Sequence, residues 1–122
     1  MALKISYVSE DAGVVTLCAE GEITATDTPI GGLSPFQPIL GQAWNGRRIL
    51  LDMSGVSYID SSGIGWLIGT QKAFRAAGGK LALHSVQPQV HQLLGLLKLD
   101  RIIPMTESAA AGREALAALV AV

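Results

Sequence analysis

The sequence predicts an α/β domain with a mixed sheet, and three observations carry this prediction. Two β-rich segments near the N-terminus flank a turn-forming run at residues 10–13, which indicates an antiparallel hairpin. Further along, apolar runs of strand length alternate with stretches of helical periodicity, an order typical of parallel strands joined by helices. Gly78-Gly79 separates the longest helical stretch from the strand after it. We expect residues 1–122 to form one domain with four to five strands and about four helices.

The composition is typical of a folded globular protein and not of a disordered, nucleic-acid-binding or membrane protein. The chain has 122 residues, of which 49% are apolar and 16% charged, so it is long enough for a real core and is not of the disordered type. The net charge of -1, with no basic run, gives no sign of nucleic-acid binding. No apolar run approaches the roughly 18 to 20 residues that span a bilayer. Together with the lone Cys18, expected to be a core thiol, this predicts a cytoplasmic protein without membrane insertion.

The first half of the chain is expected to form three strands. The hairpin strands cover residues 3–8 and 14–19, and the second closes at residues 21–24. Residues 25–46 contain several prolines, which disfavour a long helix and leave room for a short one at residues 38–44. Residues 48–53 are expected to form a compact buried strand, and residues 52–56 a turn.

The second half begins with the clearest helical pattern, over residues 62–77. Its apolar positions follow i, i+3, i+4 spacing, with Gln71 as a polar exception. Gly65, Gly69 and Ala73 form a stripe of small residues, which we expect to pack closely against a neighbouring sheet or helix. A strand at residues 80–84, a helix from Pro88, an extended piece at residues 102–104 and a C-terminal helix from residue 106 or 107 complete the order.

The strand-to-helix junction carries the candidate functional residues, Asp60, Ser61, Ser62 and Gly63. Amides in the first turn of a helix lack internal partners and carry the positive end of the dipole, so a phosphate on either serine would be favourably placed. The structural alternative is helix capping by a serine hydroxyl. Both roles are compatible if Ser62 caps the helix while Ser61 points outward. We expect Asp60 to fix the loop through backbone amides.

Catalysis and metal binding have little support in the sequence. The serines are not part of a Gly-x-Ser-x-Gly nucleophile elbow, and no pattern ties His84 or His91 to them. Two histidines and one cysteine are a poor basis for a metal site, and the glycine pairs lack the features of phosphate loops. We therefore expect no enzyme activity, no cofactor and no metal. Trp66, beside the junction, is expected either to pack on the sheet or to anchor an interface.

The order of elements around Asp60–Gly63 resembles the STAS domain, and in particular the bacterial anti-sigma-factor antagonists. Gly21-Glu22-Ile23 is similar to the end of that family's second strand, and residues 49–65 to its central strand, loop and helix start. Residues 77–81 and 88–100 are similar to the next helix end, strand and helix. The resemblance covers nearly the whole chain, and its weight comes from the combined order.

The resemblance implies a phosphorylation-switched binding protein. The family's phosphorylated serine falls on Ser61, with Ser62 as second choice and Asp60, Ser62 and Gly63 as support. The implied partners are an anti-sigma factor with serine kinase activity, bound by the unmodified protein, and a serine phosphatase that resets it. Residues expected on the partner surface are Glu22, Thr24, Ser61, Ile64 and Trp66.

Two departures from the family pattern concern the partner. Thr24 stands where the family usually has an acidic residue, and the proline-bearing residues 25–46 replace a polar first helix. Three alternatives remain open: a scaffold subunit of a stress-signalling complex, an accessory subunit of a lipid-transport ATPase complex, and a ligand-binding module. The free protein is expected to be a monomer or a weak dimer.

Overall fold

The N-terminal hairpin is present in the computed structural model, which describes residues 3–11, 13–24, 36–41 and 44–118. Strand β1 (Lys4–Asp11) pairs antiparallel with β2 (Val14–Ile23). On β2 every second residue from Val15 onward is buried without interruption, as period-2 alternation requires of a strand with one face on the main core. The hairpin prediction is therefore confirmed.

Three further strands complete a five-stranded mixed sheet. Strands β3 (Arg48–Ile59), β4 (Lys80–His84) and β5 (Met105–Thr106) follow one another in sequence order, each parallel to its neighbour, and β3 is also parallel to β2. Parallel neighbours need crossover connections, which the helices between the strands supply. The predicted α/β class and mixed sheet are confirmed.

Four helices cover the two faces of this sheet: α1 (Gln37–Leu40), α2 (Ser61–Ala76), α3 (Pro88–Leu96) and α4 (Ala109–Ala118). Helices α2 and α3 bury Leu67, Phe74, Val90 and Leu94 in the main core. On the other face Leu116 of α4 packs in a smaller cluster whose sheet members are Val14, Leu50 and Ala82. The sheet is thus a central layer between two helical layers.

Strand β3 is longer than the sequence predicted, and the expected turn at residues 52–56 is wrong. The strand runs on to Ile59, and its register against β2 shifts opposite Cys18 and Glu20. The turn-forming residues are accommodated as an irregularity inside the strand, where the Asp52 Oδ1 accepts a 2.9 Å hydrogen bond from the Ser54 amide. The longer strand carries the chain to the edge of the sheet where α2 begins.

Two smaller predictions also need correction. The expected extended piece at residues 102–104 lies instead at β5, because Ile102 has helical backbone angles and ends a 3₁₀ turn, Leu99–Arg101. Helix α4 begins at Ala109 rather than at residue 106 or 107. Ser108 Oγ accepts a 3.2 Å hydrogen bond from the Ala111 amide and so satisfies a donor of the first turn.

An aromatic cluster joins the short helix α1 to α2. The fully buried ring of Phe36 stacks on Trp44 at 5.5 Å and on Trp66 at 6.2 Å, while Phe74 meets Phe36 edge-on at 5.7 Å. The expected helix over residues 38–44 is shorter, ending at Leu40, and a 3₁₀ turn follows at Trp44–Gly46. The rest of the proline-bearing segment, residues 25–35 and 42–43, lies outside the described residues.

Cys18 is half-buried on the sheet rather than in the core, which corrects the expectation of a core thiol. It lies beside Asp52 of β3 in the register, and its Sγ is 3.9 Å from Glu20 Oε1. Burial, followed by the charges of Asp52 and Glu20, raises the pKa of the Cys18 thiol. The thiol is therefore in its protonated, weakly nucleophilic form at neutral pH.

The glycine pair after α2 has a packing role beyond ending the helix. A Cβ on Gly79 would overlap the carbonyl oxygen of Asn45 and lie 2.7 Å from that of Arg47. Both contacts are with backbone that cannot rotate away. The Gly79 amide also donates a 2.8 Å hydrogen bond to the Phe74 carbonyl. The close approach fixes the end of α2 against the start of β3.

We expect Gly79→Ala to lower the free energy of unfolding by about 2 kcal/mol, because overpacking against fixed backbone costs roughly 1 to 3 kcal/mol. Gly46→Ala is the matched control: its nearest contact would be an ordinary 3.7 Å from the Ala77 carbonyl oxygen. Urea unfolding of both variants measures the difference, and an equal effect in the two would contradict the packing role.

Candidate functional site

Asp60 caps helix α2. It is the last extended residue after β3, with φ -106° and ψ -175°, and its Oδ1 accepts a 2.9 Å hydrogen bond from the Gly63 amide. Its own carbonyl oxygen accepts from the Ile64 amide at 2.9 Å, the first bond of the helix. The expectation that Asp60 fixes the loop through backbone amides is confirmed, and the carboxylate also suits the positive end of the helix dipole.

The carbonyl oxygen of Ile23, at the end of β2, anchors the same junction. It accepts a 3.3 Å hydrogen bond from the Asp60 amide. A Cβ on Gly63 would overlap this oxygen and lie 2.8 Å from Ile59 Cγ1. Glycine is therefore required at position 63, because α2 starts in direct contact with the backbone of β2.

Ser61 and Ser62 are the first two residues of α2, and both are exposed. The expectation that Ser62 caps the helix is wrong, because the Asp60 carboxylate occupies that role. Neither serine hydroxyl is hydrogen-bonded to another of the described residues. Both hydroxyls are therefore accessible from solvent, one residue and two residues past the cap.

The end of β2 lies beside this junction. Glu22 pairs with Tyr58 and Ile23 with Ile59 in the register, so the two strands reach the same edge together. Glu22 and Thr24 are both half-buried there. The structure thus brings Glu22 and Thr24 next to the helix start at Ser61, although some 40 residues of sequence separate them.

The first turns of α2 divide the remaining predicted residues between two faces. At about 100° per residue, Ser61 and Ile64 lie about 60° apart around the helix, whereas Ser61 and Trp66 lie about 140° apart. Ile64 and Trp66 are both half-buried and pack against the core. Trp66 stacks on Phe36, which precedes α1, and its interface role stays a prediction.

The small-residue stripe of α2 faces outward. Gly65 and Gly69 are exposed, and a Cβ at either position would meet nothing within 4 Å. The expected close packing of this stripe inside the domain is wrong: the helix packs through Leu67, Thr70 and Phe74 instead. The outward strip leaves the helix backbone open near Ser62 and Trp66.

A small groove lies between the end of β3 and α3, next to the junction. Its volume is about 220 Å³, and Tyr58, which is 52% exposed, forms part of its wall. Two glutamines tie α3 to β3: Gln87 Nε2 donates to the Ser54 carbonyl at 2.7 Å and Gln89 Nε2 to the Ser57 carbonyl at 3.4 Å. No local sequence pattern marks these two glutamines as functional.

The histidines lie away from the serine pair. His84 ends β4, is buried, and contacts Ser85 Oγ through Nδ1 at 2.9 Å, while His91 is exposed on α3. Within the described ranges no group of three or more His, Cys, Asp or Glu side chains could hold a metal ion. In the same part of the chain no helix has the length and apolar character needed to cross a membrane.

Comparison with known sequences identifies the family of this domain. The model of the STAS domain family matches residues 10–111. The chain therefore belongs to the STAS domain family. It is 35% identical over 62 residues to the anti-sigma F factor antagonist of Paenibacillus polymyxa, covering 51% of this chain and 53% of that protein. The chain thus spans about half the length of this relative.

A second relative covers more of the chain. It is a Thermotoga maritima protein provisionally named an anti-sigma factor antagonist, 30% identical over 95 residues, which are 78% of this chain and 82% of that protein. A crystal structure of such an antagonist from this organism has a TM-score of 0.68 at 24% identity, covering 93% of this chain and 94% of that one.

A further solved structure shares the fold alone. The Bacillus cell fate determinant SpoIIAA in its phosphorylated form has a TM-score of 0.57 at 16% identity, over 91% of this chain and 97% of that one. The family match and the two named relatives confirm the resemblance to STAS anti-sigma-factor antagonists.

Asp60→Ala should lower the free energy of unfolding by about 1 kcal/mol, the usual cost of removing a helix cap. Ser62→Ala should change it by less than about 0.5 kcal/mol, because the hydroxyl bonds to no described group and the site is exposed. Chemical denaturation compares the two. A larger loss for Ser62→Ala than for Asp60→Ala would show that the serine is the true cap.

Two alanine substitutions in α2 are expected to have opposite signs. Gly63→Ala should destabilise by about 2 kcal/mol or more, because the methyl group overlaps the Ile23 carbonyl. Gly65→Ala, in the same helix and facing open space, should stabilise by up to about 1 kcal/mol through helix propensity. Thermal unfolding checks both, and stabilisation by Gly63→Ala would contradict the contact described here.

Proposed function

We propose that this domain is an anti-sigma-factor antagonist that binds an anti-sigma factor with serine kinase activity and is released when Ser61 is phosphorylated. The supporting observation is the junction itself. The first residue of α2 has an exposed hydroxyl with no hydrogen bond to another described residue, and the Asp60 cap and the Ile23 carbonyl hold its backbone in place. The names of the Paenibacillus and Thermotoga relatives supply the antagonist role.

The Ser61 hydroxyl suits a kinase substrate because nothing in the described part of the protein competes for it. Its Oγ is free to attack the terminal phosphorus of ATP in the kinase, whose base takes the hydroxyl proton as ADP leaves. Asp60 is committed to the Gly63 amide, so its part is positional: it sets the backbone from which Ser61 projects. Ser62, equally exposed, is the second choice.

Phosphorylation acts on this surface through charge. The phosphate adds about -1.5 to -2 charges at neutral pH. The start of α2 accommodates that charge within the free domain because first-turn amides and the helix dipole favour an anion. A partner seated on the junction would have to bury the same charge without a cation of its own, which is costly. The phosphate therefore favours the separated proteins without requiring the domain to refold.

The partner surface we propose combines both elements of the junction. Ser61 and Ile64 supply one face of the helix start, and Glu22 and Thr24 supply the adjacent strand end. Trp66 borders the outward strip of Gly65 and Gly69, where a partner helix could approach the backbone closely. A serine phosphatase restores the binding form.

The domain acts as a binding module without catalysis of its own. We infer that it works in the cytoplasm, because its proposed partner also binds a sigma factor. We also infer that it is a monomer or a weak dimer. Nucleic acid is not an expected partner, given the net charge of -1 and the absence of a basic run in the sequence.

A pull-down with wild-type, Ser61→Ala and Ser61→Asp proteins tests the switch. We expect Ser61→Asp to weaken binding of one kinase-type partner by about a hundredfold, because an unpaired charge in an interface costs about 3 kcal/mol or more. Gln92→Glu, which adds a negative charge on exposed α3, is the matched control and should bind normally. Identical partner sets for all four proteins would refute the proposal.

Phosphate incorporation gives an independent check. With the captured kinase and labelled ATP, Ser61→Ala should lose incorporation, whereas Ser62→Ala should retain it. Full labelling of Ser61→Ala together with loss in Ser62→Ala would move the site to the second serine.

A further inference from the structure

A cationic cleft lies at the end of α2 opposite to Ser61. It has a volume of about 260 Å³, and Arg75 of α2, Lys80 of β4 and Arg101 of the 3₁₀ turn all line it. Three different elements thus contribute one cation each. At 1.5 Å per residue, Arg75 lies about 21 Å along the helix from Ser61, so the cleft is separate from the serine junction.

No described carboxylate neutralises these three cations. Glu10 pairs with Arg47 at 2.9 Å, while Arg75, Lys80 and Arg101 form no ion pair with any described residue. Among the described residues that line the cleft, none is acidic. The carboxyl end of the α2 dipole opposes an anion there, but it amounts to about half a charge against three full ones. The cleft is therefore electrostatically suited to a multiply charged anion.

The walls of the cleft are fixed before any ligand arrives. Gln71 Nε2 donates a 3.2 Å hydrogen bond to the Ile102 carbonyl, which joins α2 to the segment after the 3₁₀ turn. The Lys80 amide donates to the Arg47 carbonyl at 3.1 Å, and the close packing of Gly79 on Asn45 holds the other side. Binding would need to order only the three long side chains, which limits its entropic cost.

We propose that this cleft binds a small phosphorylated molecule, with its phosphate held by Arg75, Lys80 and Arg101. The arginine forks match phosphate oxygens in a bidentate geometry, and the lysine adds a point charge. At about 30 Å³ per water, the cleft has room for roughly eight or nine waters. That volume suits a phosphate group with a short carbon chain. Ile102 and Pro104 offer that chain an apolar wall.

The size of the cleft favours a small molecule over a phosphorylated segment of another protein. It lies just below the roughly 300 to 1,000 Å³ typical of drug-sized ligand sites, and a peptide backbone would extend beyond it. This inference is independent of the proposed role of Ser61, and either can fail without the other.

Titration followed by amide chemical shifts tests the site. The probes are inorganic phosphate, ribose 5-phosphate and a phosphoserine peptide with the sequence of residues 58–65. We expect saturable shifts centred on Gly79, Lys80 and Arg101 with ribose 5-phosphate and weaker ones with phosphate. Tighter binding of the peptide than of ribose 5-phosphate would overturn the small-molecule assignment.

Variants that each remove one positive charge distinguish a specific phosphate site from nonspecific attraction of anions to the surface. Arg75→Gln and Arg101→Gln should each weaken ribose 5-phosphate binding by about tenfold, the usual scale for losing a charged hydrogen bond. Lys72→Gln, on the same helix but outside the cleft, should leave the affinity unchanged. Equal losses in all three variants, or shifts spread over every basic residue without saturation, would refute the site.

Discussion

The contact between the Ile23 carbonyl and the start of α2 is the constraint on which the functional end of this domain depends. That oxygen receives the Asp60 amide and leaves no space for a side chain at Gly63. The Asp60 carboxylate then closes the first turn on the Gly63 amide. Since β2 and β3 are parallel neighbours over most of their length, the whole sheet holds this oxygen in place. Ser61 therefore projects from a rigid position. The contacts of the neighbouring backbone hold it there, and its own hydroxyl takes no part in them.

Rigidity of this kind determines how the proposed switch would work. A phosphate on a mobile loop acts by ordering or releasing that loop, whereas a phosphate on a fixed helix start changes mainly the local charge. The domain is well suited to the second mechanism because a first-turn phosphate is stabilised by the helix itself. The same helix ends at the cationic cleft, so α2 would carry the proposed phosphorylation site at one end and the proposed small-molecule site at the other. Each site rests on a different set of contacts.

Local patterns were enough to predict the hairpin, α2 and β4, because alternation, helical spacing and the stop at Gly78-Gly79 are all short-range signals. The sequence could not show that the turn-forming residues around Asp52 lie inside β3. Their pairing with β2 outweighs their local preference for a turn. Nor could the sequence assign the cap to Asp60 instead of Ser62, because the strand end depends on the distant Ile23. The spacing of Gly65 and Gly69 is the same whether their side of the helix is buried or exposed. Only the packed fold shows that it is exposed.

The most direct test of the central claim compares amide spectra of the domain before and after stoichiometric phosphorylation at Ser61. A rigid junction predicts chemical shift changes confined to the first turns of α2 and the end of β2, with the protection of the Gly63 amide from hydrogen exchange unchanged. Shift changes that extend through β4 and α3, or loss of protection at Gly63, would contradict the account, because they would show that phosphorylation rearranges the fold instead of charging a fixed surface.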